Sequence, residues 1–125
     1  MSKQVIATAD APRSPLFSQG IRVGPTIYVS GMTGTDVTTM QLSGPSIEEQ
    51  TRQALKNCDA ILRAAGSSMA KVVNATFILR YSEDFAGMNE EWVRWFPTDP
   101  PARQGAKHPL EVEGLRISIA LIAEA

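Results

Sequence analysis

The sequence predicts an α+β fold, a two-layer sandwich with two helices on one face of a mostly antiparallel or mixed β-sheet. Three observations carry that prediction. Two segments show the i, i+3, i+4 apolar spacing of helices with a buried face, and short β-prone runs lie before, between and after them. The last strand alternates cleanly between two side-chain sets. The order reads β-β-α-β-α-β-β, with a further candidate strand at Gln4–Thr8.

The segment GIRVGPTIYVSG reads as a hairpin, in which Gly20–Val23 and Ile27–Ser30 are β-prone and Gly24-Pro25 supplies the turn. TGTDVTTMQLSGP, rich in Thr, Gly and Ser, is a loop. The first helix opens on an S-x-x-E capping box, Ser46 and Glu49. Ile47, Thr51, Ala54, Leu55, Cys58, Ile61, Leu62 and Ala65 then mark one buried face, and Gly66 stops the helix. Lys71–Leu79, rich in β-branched residues, is a strand. A second helix is expected over Glu83–Phe96, with a stripe of Phe85, Met88, Trp92 and Phe96, Trp95 beside it, and Pro97 as its terminator. ARQGAKH is a weaker strand, since its glycine and the following Pro109 point to a bend or an edge. LRISIALIA sets Leu115, Ile117, Ile119 and Leu121 on one face and Arg116, Ser118, Ala120 and Ile122 on the other. With Ala120 and Ile122, that second face is too apolar for open water, so it is expected to pack against another subunit.

A length of 125 residues fits one domain, 1–125, large enough for a core without disulfides or metals. The net charge of −1 gives no electrostatic case for nucleic acid or membrane partners. No apolar run has the length of a signal peptide core or a membrane span, which makes a cytoplasmic protein the expectation.

Few residues offer chemistry. One His and one Cys exclude the usual metal-ligand spacings, and no nucleophile or phosphate-loop motif occurs. His108 reads as a strand-end or surface histidine, and Cys58 as a buried structural thiol. The acidic pairs Glu48-Glu49 and Glu90-Glu91 are expected on solvated helix faces. Arg103, in DPPARQGAKHP, is different. It has no acid within three positions and sits where a proline-rich loop enters a strand. Its fixed fork of donors suits a carboxylate bidentately, although a distant ion pair or an exposed charge would also account for it.

Taken in order, these segments resemble the RidA/YjgF family of reactive-intermediate deaminases. APRSPLFSQGIRVGPTIYVSG is similar to the family's amino-terminal stretch, and IEEQTRQALKNCDAILRAAGSSMAKVVNATFIL to its first helix, A-A-G turn and strand. FAGMNEEWVRWF resembles its second helix, with Asn89 at the usual asparagine, and PPARQGAKHPLEVEGLRISIALIA its P-A-R segment and last strand. The resemblance implies a chorismate-mutase-like fold and a homotrimer with sites between subunits. It implies cofactor-free hydrolysis of 2-imino or 2-enamino acids to 2-oxo acids and ammonia. Arg103 would grip the substrate carboxylate, Ser30, Gly31 and Asn89 would line the cleft, and backbone groups beside the arginine would orient imine and water.

Three positions depart from the family pattern. Phe17 replaces a tyrosine, Gly105 stands where cysteine is frequent, and Ala120 occupies the place of a glutamate suited to activating water. These changes predict a roomier, less polar pocket that still holds a carboxylate and suits a larger or more apolar substrate. An imine/enamine deaminase of altered substrate or reduced activity is therefore set against a non-catalytic trimer that senses or sequesters a small carboxylate through Arg103. The ribonuclease role attached to some relatives is disfavoured by the charge balance.

Overall fold

The computed structural model describes residues 2–125. Six strands form one sheet: β1 (Gln4–Ile6), β2 (Gly20–Val23), β3 (Thr26–Thr33), β4 (Val72–Leu79), β5 (Ala102–Lys107) and β6 (Ile117–Glu124). Their order is β1-β2-β3-β6-β4-β5. Only β4 and β5 run parallel, and the chain crosses between them through helix α2 (Phe85–Trp95); every other pairing is antiparallel. The mixed sheet with two helices is therefore the predicted α+β sandwich.

The β2–β3 hairpin turns through Gly24-Pro25, with Gly24 at a φ of 57°, a left-handed value cheap only for glycine. Strand β3 runs three residues beyond the expected Ser30. Val29 pairs with Leu121 and Met32 with Ile119, so Ser30 and Gly31 together face Ala120. This bulge absorbs the extra residue and lets the strand continue in phase.

Helix α1 (Ile47–Ala64) has both halves of its capping box. The Glu49 N–H donates to Ser46 Oγ at 3.1 Å, and the Ser46 N–H to Glu49 Oε1 at 3.4 Å. At the other end Ser67 N–H reaches the Leu62 carbonyl and Gly66 N–H the Arg63 carbonyl, the paired bonds of a Schellman turn. Gly66 takes the left-handed φ of 78° that this turn needs. The helix buries Ala54, Leu55, Cys58, Ile61 and Leu62 against the sheet face that carries Ile27, Val29, Ile117, Ile119 and Leu121.

Helix α2 starts later than expected. A 3-10 turn occupies Ser82–Asp84, and Asp84 spends its carboxylate on Arg116, which it accepts at 3.0 and 3.2 Å, instead of capping the helix. Met88, Trp92 and Phe96 are buried as the stripe requires, whereas Phe85 is 46% exposed. The expectation of solvated acids also fails at Glu91. That residue is buried between the helices, accepting from Arg52 at 2.6 Å with Arg94 at 3.7 Å, because the polar edge of α2 meets α1 rather than water.

Among the described residues, no layer covers the sheet face away from the helices. Ser118, Ala120 and Ile122 lie on it, half-buried, beside Thr76 and Ile78, with Tyr28 exposed. Among the strand residues on this face only Glu124, at its rim, is charged.

Candidate functional site

Arg103 lies on β5, an edge strand whose six residues are all exposed. It pairs with buried Ala75 of β4, so its side chain rises from the helix side of the sheet toward α2. There Nη1 donates to Asn89 Oδ1 at 2.8 Å. Three rings surround the guanidinium: Phe77 and Trp92 with centroids 5.1 Å away, and Phe85 at 5.6 Å. The rings also pack on one another, Phe77 lying 6.1 Å from Phe85 and 6.3 Å from Trp92. Aromatic faces attract a cation and fix the plane of a guanidinium. Among the described residues the group is thus held in place without a carboxylate partner, and its remaining donors stay available for one.

The sequence reading missed this box, although two of its members were in view. Phe85 and Trp92 share one face of α2, two turns apart, and Phe77 lies on the same sheet face as Arg103 in the neighbouring strand. At Gly105 the extra space expected does not lie at the Cβ position itself. Gly105 pairs with Phe77, and a Cβ at position 105 would stand 2.1 Å from Cε2 of that ring. The ring thus takes the Cβ position, while a cleft of about 370 Å³ walled by Phe77, Leu79, Phe85 and Gly105 opens beside it.

A second cluster lies around the bulge in β3. Ser30 and Gly31 face Ala120, and a Cβ on Gly31 would approach Ser118 Oγ at 3.0 Å. The bulge is tied to the amino-terminal segment. Ser30 N–H donates to the Gln19 carbonyl at 2.9 Å, and Ser30 Oγ donates to the Ser18 carbonyl. Gln19, itself buried, accepts from Thr8 N–H and donates to the carbonyls of Thr8, Ala11 and Pro12. Half-exposed Phe17 is carried beside this clamp. The seven expected site residues therefore fall into two groups within one chain. Arg103, Asn89 and Gly105 are at the β5 edge, while Phe17, Ser30, Gly31 and Ala120 are near β3.

Sheet order puts β6 and β4 between β3 and β5, which are roughly 14 Å apart at ordinary strand spacing, and leaves Ala120, on β6, two strands or roughly 10 Å from β5. The faces differ too, since Ala120 points away from the helices and Arg103 toward them. No acid has moved in beside Ala120 along its own strand. Glu124 sits four residues on, roughly 13 Å away. Glu111 lies in the exposed segment before β6.

The other candidates are structural. Cys58 is fully buried, its Sγ directed at the Ile119 carbonyl, and burial pushes its thiol far above the usual range. His108 is exposed at the end of β5, where Nδ1 accepts from the Leu110 N–H at 3.1 Å.

Two helices on a mixed sheet, with a boxed arginine at one edge and a bulge at β3, define a small α+β protein of distinctive topology. The Endoribonuclease L-PSP family pattern matches residues 8–125. The human 2-iminobutanoate/2-iminopropanoate deaminase is 38% identical over 122 residues, spanning 97% of this chain and 89% of that protein. A crystal structure from Entamoeba histolytica, described as a putative endoribonuclease L-PSP, superposes with a TM-score of 0.94 at 33% identity, covering 99% of this chain and 100% of the other. The Yersinia pestis protein YyfA, of the conserved Rid protein family, gives 0.94 at 32% identity with the same coverage. The chain belongs to the RidA/YjgF family, as the sequence resemblance implied.

Proposed function

We propose that this protein hydrolyses 2-imino or 2-enamino acids to 2-oxo acids and ammonia, at reduced rate or with altered substrate preference. The observation that carries the reading is the Arg103 fork, fixed by Asn89 and three rings and without an acidic partner among the described residues. A planar carboxylate would accept from it bidentately. The name of the 38%-identical human relative supplies the substrate class. In the reaction a 2-enamino acid first shifts a proton from nitrogen to carbon to give the imine. Water then adds to the C=N carbon, its protons pass to nitrogen, and the C–N bond breaks as the C=O bond forms. The 2-oxo acid stays on the arginine and ammonia leaves.

We also propose that the working unit is a homotrimer, cytoplasmic and cofactor-free, with sites between subunits. Ala120 and Arg103 point to opposite faces of one sheet, which supports a site completed by the β3 bulge of a second copy at the β5 edge. The uncovered, nearly charge-free sheet face supports such packing, because burying it desolvates few charges.

Ala120 offers no carboxylate to take a proton from water. Loss of a positioned acid or base costs about 10²–10⁴ in rate, while carboxylate anchoring still supplies proximity. The same residue favours a second reading, a carboxylate-binding trimer without turnover. Ammonia release from freshly generated imino acids, measured for wild type, Arg103→Ala and Ala120→Glu, decides. Deamination predicts release that falls with Arg103→Ala and rises with Ala120→Glu. Binding of a 2-oxo acid lost in Arg103→Ala, with no ammonia released, establishes the second reading. Release indifferent to Arg103 overturns the first.

A further inference from the structure

We propose that the preferred substrate carries an aromatic or similarly bulky apolar side chain, seated between α2 and the Pro100-Pro101 segment. This rests on the reading that Arg103 receives the carboxylate. Two clefts flank the aromatic box: one of about 370 Å³, walled by Phe77, Leu79, Phe85 and Gly105, does not include Arg103, so the room for a side chain next to the arginine is the other. It lies toward the carboxyl-terminal half of α2. A cleft of about 280 Å³ opens there, walled by Trp92, Val93, Phe96, Pro100 and Pro101, with Asn89 and Arg103 as its polar members.

The composition of that cleft separates two tasks. Its polar side chains are the pair already bonded to each other, which sets the carboxylate position. Every other wall is apolar, and Val93 stands 61% exposed with nothing among the described residues covering it. An apolar cavity of roughly 150 Å³ is enough to hold benzene. The space here therefore takes a phenyl ring, whereas a methyl group would leave most of those walls in contact with water. The two prolines limit how far the far wall can retreat, so the fit is pre-formed rather than induced.

Phenylpyruvate and pyruvate, stable 2-oxo acids that share the carboxylate and differ in side chain, are the probes. Isothermal titration of wild type is expected to show phenylpyruvate binding about tenfold or more tighter, the discrimination an apolar pocket gives for added apolar groups. Val93→Trp fills the cleft and Val93→Asn makes its wall polar; both are expected to narrow the ratio to about threefold or less. Two variants of an exposed residue keep the test open if one fails to fold. Equal affinities in wild type, or a preference that survives in both variants, overturns this inference while leaving the arginine reading intact. Failure of both acids to bind, or binding unaffected by Arg103→Ala, overturns the arginine reading itself.

Discussion

Adding one carbon at position 105 puts the aromatic box under load. A Cβ there would meet Phe77 Cε2 at 2.1 Å, Cζ at 2.2 Å and Cδ2 at 2.6 Å, all well inside carbon–carbon contact. The ring tip can swing away, but Phe85 and Trp92 hem it in and Arg103 rests against all three rings. Gly105→Ala is therefore an overpacking change, worth about 1–3 kcal/mol. At about 2.1 cal/mol/K of unfolding entropy per residue, a chain of this length loses ~4 °C per kcal/mol, so the expected fall in Tm is about 4–11 °C. The displaced ring also frees the guanidinium plane, and affinity for a 2-oxo acid should drop several-fold. Phe77→Leu combined with Gly105→Ala removes the collision and should recover most of the lost stability. Scanning calorimetry on the single and double variants checks the packing, and titration with a 2-oxo acid checks the site. A single variant that melts within a degree of wild type with unchanged affinity would refute the claim that Phe77 occupies this space.

Other perturbations have equally direct readouts. Glu91→Ala removes the carboxylate between the helices and should cost on the order of 2 kcal/mol, between an exposed and a fully buried pair since Arg52 is half in solvent; urea unfolding measures it. Cys58 should resist a thiol reagent at pH 8 in the native protein and react fully once unfolded, as followed by absorbance. Asp36 accepts from the Thr38 hydroxyl and N–H, at 2.6 and 2.8 Å, which holds its carboxyl below the ordinary 3.8. Its lowered value means that any stabilisation of the 36–41 loop is present above pH 4 and lost as pH falls through the folded value. Thr38→Val should return the Asp36 titration, followed by NMR, toward 3.8.

What the sequence made legible was mostly local. Ser46, Glu49 and Gly66 announce the ends of α1 because caps are set by residues within one turn of the terminus. The two faces of β6 follow from period-two alternation, and Arg103 stood out because prolines precede it. What stayed hidden depended on which strands become neighbours. Gly105 read as empty space until the parallel β4–β5 register set Phe77 against it. Glu91 read as solvated because its partner, Arg52, belongs to another helix. The bulge at Ser30-Gly31 leaves no local mark, since it is a mismatch between β3 and a strand at the far end of the chain.

The order in which contacts can form separates the two halves of the site. Asn89 and Arg103 are 14 positions apart and belong to one β-α-β unit, so a short loop closes when they meet. The bulge brings Ser30 to Ala120, a separation larger by more than two doublings, which raises the closure cost by about 1–2 kcal/mol. Contacts of such range form late and slow folding. The arginine half is therefore the early, self-contained piece, and the half that carries Ala120 waits for the chain's two ends to meet. Substitutions in the second half should change unfolding rates more than folding rates.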